Sequence, residues 1–78
     1  MINIKNKAFL VAFGNHLRKL RKEKDLSQEH LAYEADVPIS QIGRIERGEI
    51  NTTISTVYQL STALQLEPSD LFGFSFRS

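Results

Sequence analysis

Apolar residues fall along this chain in short helical stripes divided by polar breaks, and their spacing predicts five helices. The first stripe is Phe9, Phe13, Leu17 and Leu20, at intervals of four, four and three, which predicts a helix from about Lys7 to Lys24 with Asn6 as its cap. A second helix opens at Ser27. Leu26 before that cap and Leu31 four positions after it form a hydrophobic staple, and Leu31, Ala32 and Ala35 make the inner face. Asp36-Val37-Pro38 ends it, because a residue before proline avoids the α region. The third helix covers Ile39 to Arg47, with Ile42 and Ile45 as its buried edge and Gly48 as a left-handed stop. The fourth begins near Thr53 and is expected to turn Ile54, Val57, Tyr58, Leu60, Ala63 and Leu64 inward. Glu67-Pro68-Ser69-Asp70 opens a short fifth helix that contributes Leu71 and Phe72.

The two middle helices are too short to be stable alone and need packing against the first and fourth, so the expected fold class is all-α, a five-helix bundle. Seventy-eight residues allow one domain with one core. Residues 1–12 read as an N-terminal extension of the first helix, 13–72 as the folded unit and 73–78 as a tail. In that tail Phe72, Phe74 and Phe76 alternate, which reads as a short strand with one aromatic face or as a loose end. Three exposed phenylalanines would mark an interface. Leu71, Phe72, Phe74 and Phe76 are therefore expected to meet a second copy of the chain.

Composition narrows the function mostly by exclusion. With 41% apolar and 24% charged residues the chain suits an ordered, soluble globule, and the absence of cysteine removes disulfides and thiolate metal sites. Apolar runs are too short for a signal peptide or a membrane span, so a cytoplasmic protein with no membrane partner is expected. His30 and Glu34 have the i, i+4 spacing of a metal pair but lack a third ligand, and the four glycines are scattered. Neither an enzyme, nor a cofactor, nor a small-molecule effector is indicated.

The net charge is only +1, yet it is unevenly placed. Residues 1–26 carry seven Lys/Arg against two acids, and residues 27–78 carry three against seven. Such a field can be felt by a phosphate backbone, although RKLRKEK also suits the solvated end of a helix. Two short helices joined by a tight turn meet the requirement for reading a DNA groove. With Ile42 and Ile45 inward, Ile39, Ser40, Gln41, Gly43, Arg44 and Arg47 occupy the other faces of the third helix. Ser40 and Gln41 can bond base edges or phosphate, and Arg44 can bond guanine bidentately. Arg47 reads rather as part of a solvated face.

Residues 26–48, LSQEHLAYEADVPISQIGRIERG, resemble the DNA-binding domain of the Cro and lambda-repressor family, and the likeness extends over 13–25 and 49–72. The combination SQ-x-x-LA, I-x-x-IE-x-G and a later AL carries it. The resemblance implies a lambda-repressor-like domain with a helix-turn-helix at 28–47. It also implies a transcriptional regulator, repressor-like, that binds a double-stranded palindromic operator as a homodimer. Ser27 and Gln28 would then hold a phosphate, Ile39, Ser40, Gly43 and Arg44 would approach bases, and Asn51 and Thr52 would meet the backbone. Arg21 and Glu46 would form a structural ion pair that leaves Arg21 near a phosphate.

This chain departs from the family pattern at several points. Asp25 and Asp36 replace glycines at left-handed turns, Pro38 replaces a capping Ser or Thr, and Ile39 replaces a polar reader. The loop after the third helix holds Glu49 and no cation, which removes charge that would neutralise phosphate. Gly43 reads either as a tight helix contact or as close approach to the groove. An antitoxin, a restriction-modification controller, and a protein-interaction module with a decayed DNA face stay open as alternatives.

Overall fold

In the computed structural model, which describes residues 5–77, the elements are α1 (Lys7–Glu23), α2 (Gln28–Ala35), α3 (Ile39–Glu46), α4 (Ile54–Ala63) and a 3-10 helix, Pro68–Phe72. The starts follow the local chemistry. The Phe9, His30 and Thr56 N–H groups donate to Asn6 Oδ1, Ser27 Oγ and Thr53 Oγ1, capping α1, α2 and α4. Pro38 gives α3 no side-chain cap, as its lack of a side-chain acceptor requires.

All four α-helices end in the same way. A left-handed residue follows the last turn: Asp25 (φ 60°), Asp36 (57°), Gly48 (72°) and Gln65 (59°). The next N–H then reaches back to close the turn, as Leu26 to Arg21, Val37 to Ala32, Glu49 to Arg44 and Leu66 to Ser61. Leu26, Val37 and Leu66 carry their side chains into or against the core, so each stop also anchors the chain. Gln65 in this role has no signal in the sequence.

The core joins Phe13 and Leu17 of α1, Leu31 and Ala35 of α2, Ile42 and Ile45 of α3, Val57 and Leu60 of α4, and Leu71. α1 and α3 touch backbone to backbone. A Cβ on Gly14 would lie 2.3 Å from the Ile45 carbonyl oxygen, so only glycine fits there. The tight helix contact considered for Gly43 belongs to Gly14.

Three expectations change. The fifth helix is a 3-10 turn: the Asp70 N–H donates to the Glu67 carbonyl oxygen three residues back, and the Glu67 N–H donates to Asp70 Oδ2 at 2.8 Å. Ile54 and Tyr58 point outward, 88% and 62% exposed. They sit roughly 120–160° round α4 from Leu60, and Ser61 takes an inward place because its hydroxyl donates to the Tyr58 carbonyl oxygen. Phe72 is likewise 46% exposed.

The aromatic tail forms no strand among the described residues. Bonds from the Gly73 N–H to Asp70 and from the Phe74 N–H to Phe72 curl it back onto α1. Phe74 and Phe76 lie 5.6 and 5.1 Å from the Phe9 ring, so the alternation serves the chain's own packing. Leu71, expected between two copies, is fully buried in its own core and leaves that set. Residues 1–4 of the N-terminal extension and Ser78 of the tail lie outside the described residues.

Candidate nucleic-acid interface

α3 presents one stripe to solvent. Ser40, Gly43, Arg44 and Arg47 recur at helical spacing opposite Ile42 and Ile45, which are buried. Ser40 and Arg44 are exposed, Ile39 at the helix start is half-exposed, and Gln41 is half-buried at its side. Gly43 belongs to the stripe but is covered. A Cβ there would lie 3.0 Å from Arg47 Nη1, so its cover is a flexible side chain rather than another helix. Arg47, read from sequence as a solvated side chain, is part of this face.

A buried network holds that face in position. The Arg21 guanidinium donates from Nε to Glu46 Oε2 at 2.6 Å and from Nη2 to Oε1 at 3.1 Å, while Nη1 donates to the Leu26 carbonyl oxygen at 2.7 Å. Both partners are almost wholly buried. Gln28 Nε2 donates to Glu46 Oε1 at 3.0 Å, so α1, α2 and α3 converge on one carboxylate. The expected ion pair is present, with two corrections. Arg21 is enclosed, with its fork and Nη1 taken by protein acceptors, and is not poised for phosphate. Gln28 is directed into the fold by its bond to Glu46.

The remaining expected residues divide. Ser27 is exposed and caps α2. Asn51 is exposed in the loop after α3, but the Thr52 hydroxyl is buried, with no hydrogen-bond partner among the described residues, and faces away from solvent. Thr52 therefore offers no outward hydroxyl to a DNA backbone. His30 and Glu34 stand 4.0 Å apart, and no group of three or more metal-binding side chains occurs among the described residues. No helix among them is long and apolar enough to cross a membrane.

Cations missing from the loop after α3 arrive from the far end of the chain. Lys5 Nζ donates to the Glu49 carbonyl oxygen at 3.3 Å, and Lys7 lies close enough to act on the Glu49 carboxylate. Arg47 Nε donates to Glu49 Oε2 at 2.7 Å, and Arg44 Nε stands 3.8 Å from Oε1. The Arg47 hydrogen bond first, and then the charges of Arg47, Arg44 and Lys7, outweigh partial desolvation and hold the Glu49 carboxyl below its ordinary pKa. Three cations thus act on one carboxylate beside the exposed face of α3, and Lys5 holds the backbone carbonyl of the same residue. Spacing within the sequence could not reveal a cluster assembled from residues some forty positions apart.

Comparison with known proteins agrees with this geometry. The helix-turn-helix family matches residues 17–71. Control protein C.BamHI of Bacillus amyloliquefaciens is 39% identical over 64 residues, covering 81% of this chain and 79% of its own length. Control protein C.MunI of a Mycoplasma species is 41% identical over 64 residues, covering 81% and 86%. The crystal structure of the restriction-modification controller protein C.AhdI from Aeromonas hydrophila superposes with a TM-score of 0.82 at 46% identity, over 83% of this chain and 98% of that one. With an exposed polar stripe on α3 and a buried lock behind it, the chain belongs to the Cro/C1-type helix-turn-helix family of DNA-binding transcriptional regulators.

Proposed function

We propose that the protein acts as a homodimer that reads a palindromic double-stranded operator through the major groove and controls transcription in a restriction-modification system. The carrying observation is the α3 stripe, with Ser40 and Arg44 open to solvent and Ile42 and Ile45 locked behind them. Arg44 reads guanine, Ser40 and Gln41 bond base edges or nearby phosphates, and Ile39 meets thymine methyl groups. Ser27, Asn51 and the lysines at the start of α1 position the backbone. Names of the relatives favour a restriction-modification controller over the antitoxin alternative. One α3 makes too few contacts for operator affinity, and a two-fold pair doubles them with half-sites roughly 34 Å apart.

A second copy has a surface to use. Ile54, Val57, Tyr58, Pro68 and Phe72 line an open apolar groove, which continues past Phe72 toward Phe9, Leu10 and Phe13. Selection of duplexes from a random pool tests the reading. Selected sites should be inverted repeats. Arg44→Ala should weaken binding to them by about 1–3 kcal/mol and relax one base position. A pool that yields no symmetric sequence, or unchanged affinity of the variant, contradicts it.

A further inference from the structure

The stop that closes α3 differs from the other three in one residue. At the ends of α1, α2 and α4 the residue after the left-handed position is Leu26, Val37 or Leu66, packed in or on the core. Apolar contact between that residue and the start of the last turn normally accompanies this motif. At α3 the residue is Glu49, and the corresponding last-turn residue is Arg44. Glu49 pairs with Arg44 where the other three stops set an apolar side chain in or against the core. The backbone bond from the Glu49 N–H to the Arg44 carbonyl oxygen, 2.8 Å, fixes the carboxylate beside the exposed stripe.

There the carboxylate takes the Arg47 fork, with Nε at 2.7 Å and Nη2 at 3.4 Å, and faces Arg44. Arg47, so held, lies across Gly43. Carboxylate and phosphate accept the guanidinium fork in the same planar, two-bond manner. Resting on the reading of α3 as the DNA-recognition helix, we propose that Glu49 is an internal phosphate surrogate that occupies Arg44 and Arg47 until an operator displaces it. It thereby sets specificity.

The physical logic lies in the difference between the two kinds of complex. Binding to arbitrary DNA depends on phosphate neutralisation, with release of counterions. An arginine still paired with Glu49 brings no net charge to a phosphate and so displaces none of the cations condensed on the duplex, and freeing it leaves a carboxylate facing the DNA. Operator binding adds base contacts by Arg44 and Ser40, which can outweigh an exposed, solvent-screened pair. Glu49 should therefore penalise arbitrary DNA more than operator DNA.

The test compares full-length wild type with Glu49→Gln and Glu23→Gln, which makes the same charge change at the exposed end of α1. Fluorescence anisotropy is read with the selected operator and with a scrambled duplex, from about 50 to about 200 mM salt. For Glu49→Gln we expect affinity for the scrambled duplex to rise about tenfold and the slope of log K against log salt to steepen by about one. Affinity for the operator should rise much less, so that discrimination falls. Glu23→Gln should leave discrimination unchanged. In the free protein the Arg47 Nε–H nuclear magnetic resonance should shift in Glu49→Gln alone. Equal effects of the two substitutions, or preserved discrimination in Glu49→Gln, overturn the role of Glu49 while the DNA reading stands. A wild type with no salt-dependent binding to either duplex removes both.

Discussion

Asp25, Asp36 and Gln65 hold left-handed backbone without being glycine, and each bears a steric penalty from its Cβ. Aspartate lessens that penalty through its short polar side chain, whereas Gln65 has no such local relief. Gln65 is exposed, so its side chain contributes little packing in return. Gln65→Gly should raise stability by about 1 kcal/mol, read as a higher urea midpoint with an unchanged slope. Gly14 makes the opposite case. Its missing Cβ lets α1 lie against the carbonyls that end α3, and Gly14→Ala should cost about 3 kcal/mol or more in thermal unfolding. Gly14 lies in an ordinary helical stretch, so only the packed partner reveals the requirement.

At the scale of elements, α2 and α3 are eight residues each and owe their stability to what they touch. Their shared anchor is Glu46, which receives Arg21 from α1 and Gln28 from α2. Removing the carboxylate leaves a buried guanidinium unpaired, a loss of about 3–5 kcal/mol. Glu46→Ala should therefore destabilise the protein by that amount in chemical denaturation, and DNA affinity should fall even though Glu46 touches no base. Full stability in that variant would mean that the network contributes nothing net. Arg21 and Glu46 were legible as a pair from the family pattern. That Gln28 joins them was not, because amide direction depends on which acceptor packing brings within reach.

For the whole molecule, the fold sorts surface by use. The α3 face gathers arginines from one helix and lysines from the chain's start, while the α4 face gathers Ile54, Tyr58 and Phe72. The second of these faces fits the proposed dimer. Ile54 is too exposed to stabilise its own chain, so Ile54→Glu should leave thermal unfolding nearly unchanged. Sedimentation should shift from dimer to monomer, and operator affinity should fall at least tenfold, about 1.4 kcal/mol. A variant that stays dimeric would place the interface elsewhere.

Local chemistry was enough for the helix starts, the left-handed stop at Gly48 and the orientation of α3, because caps, turns and a stripe of isoleucines act over a few residues, while the left-handed stops at Asp25 and Asp36 were legible only from the family pattern. It misjudged α4, where apolar residues spanned more of the helix than its neighbours could cover and a self-bonded serine took an inward place. It also misread the aromatic tail, whose ring contacts depend on where α1 lies. Tertiary structure alone decided what surrounds Glu49. Electrostatic partners are chosen by distance in space, and the fold brings Lys5 and Lys7 to the end of α3.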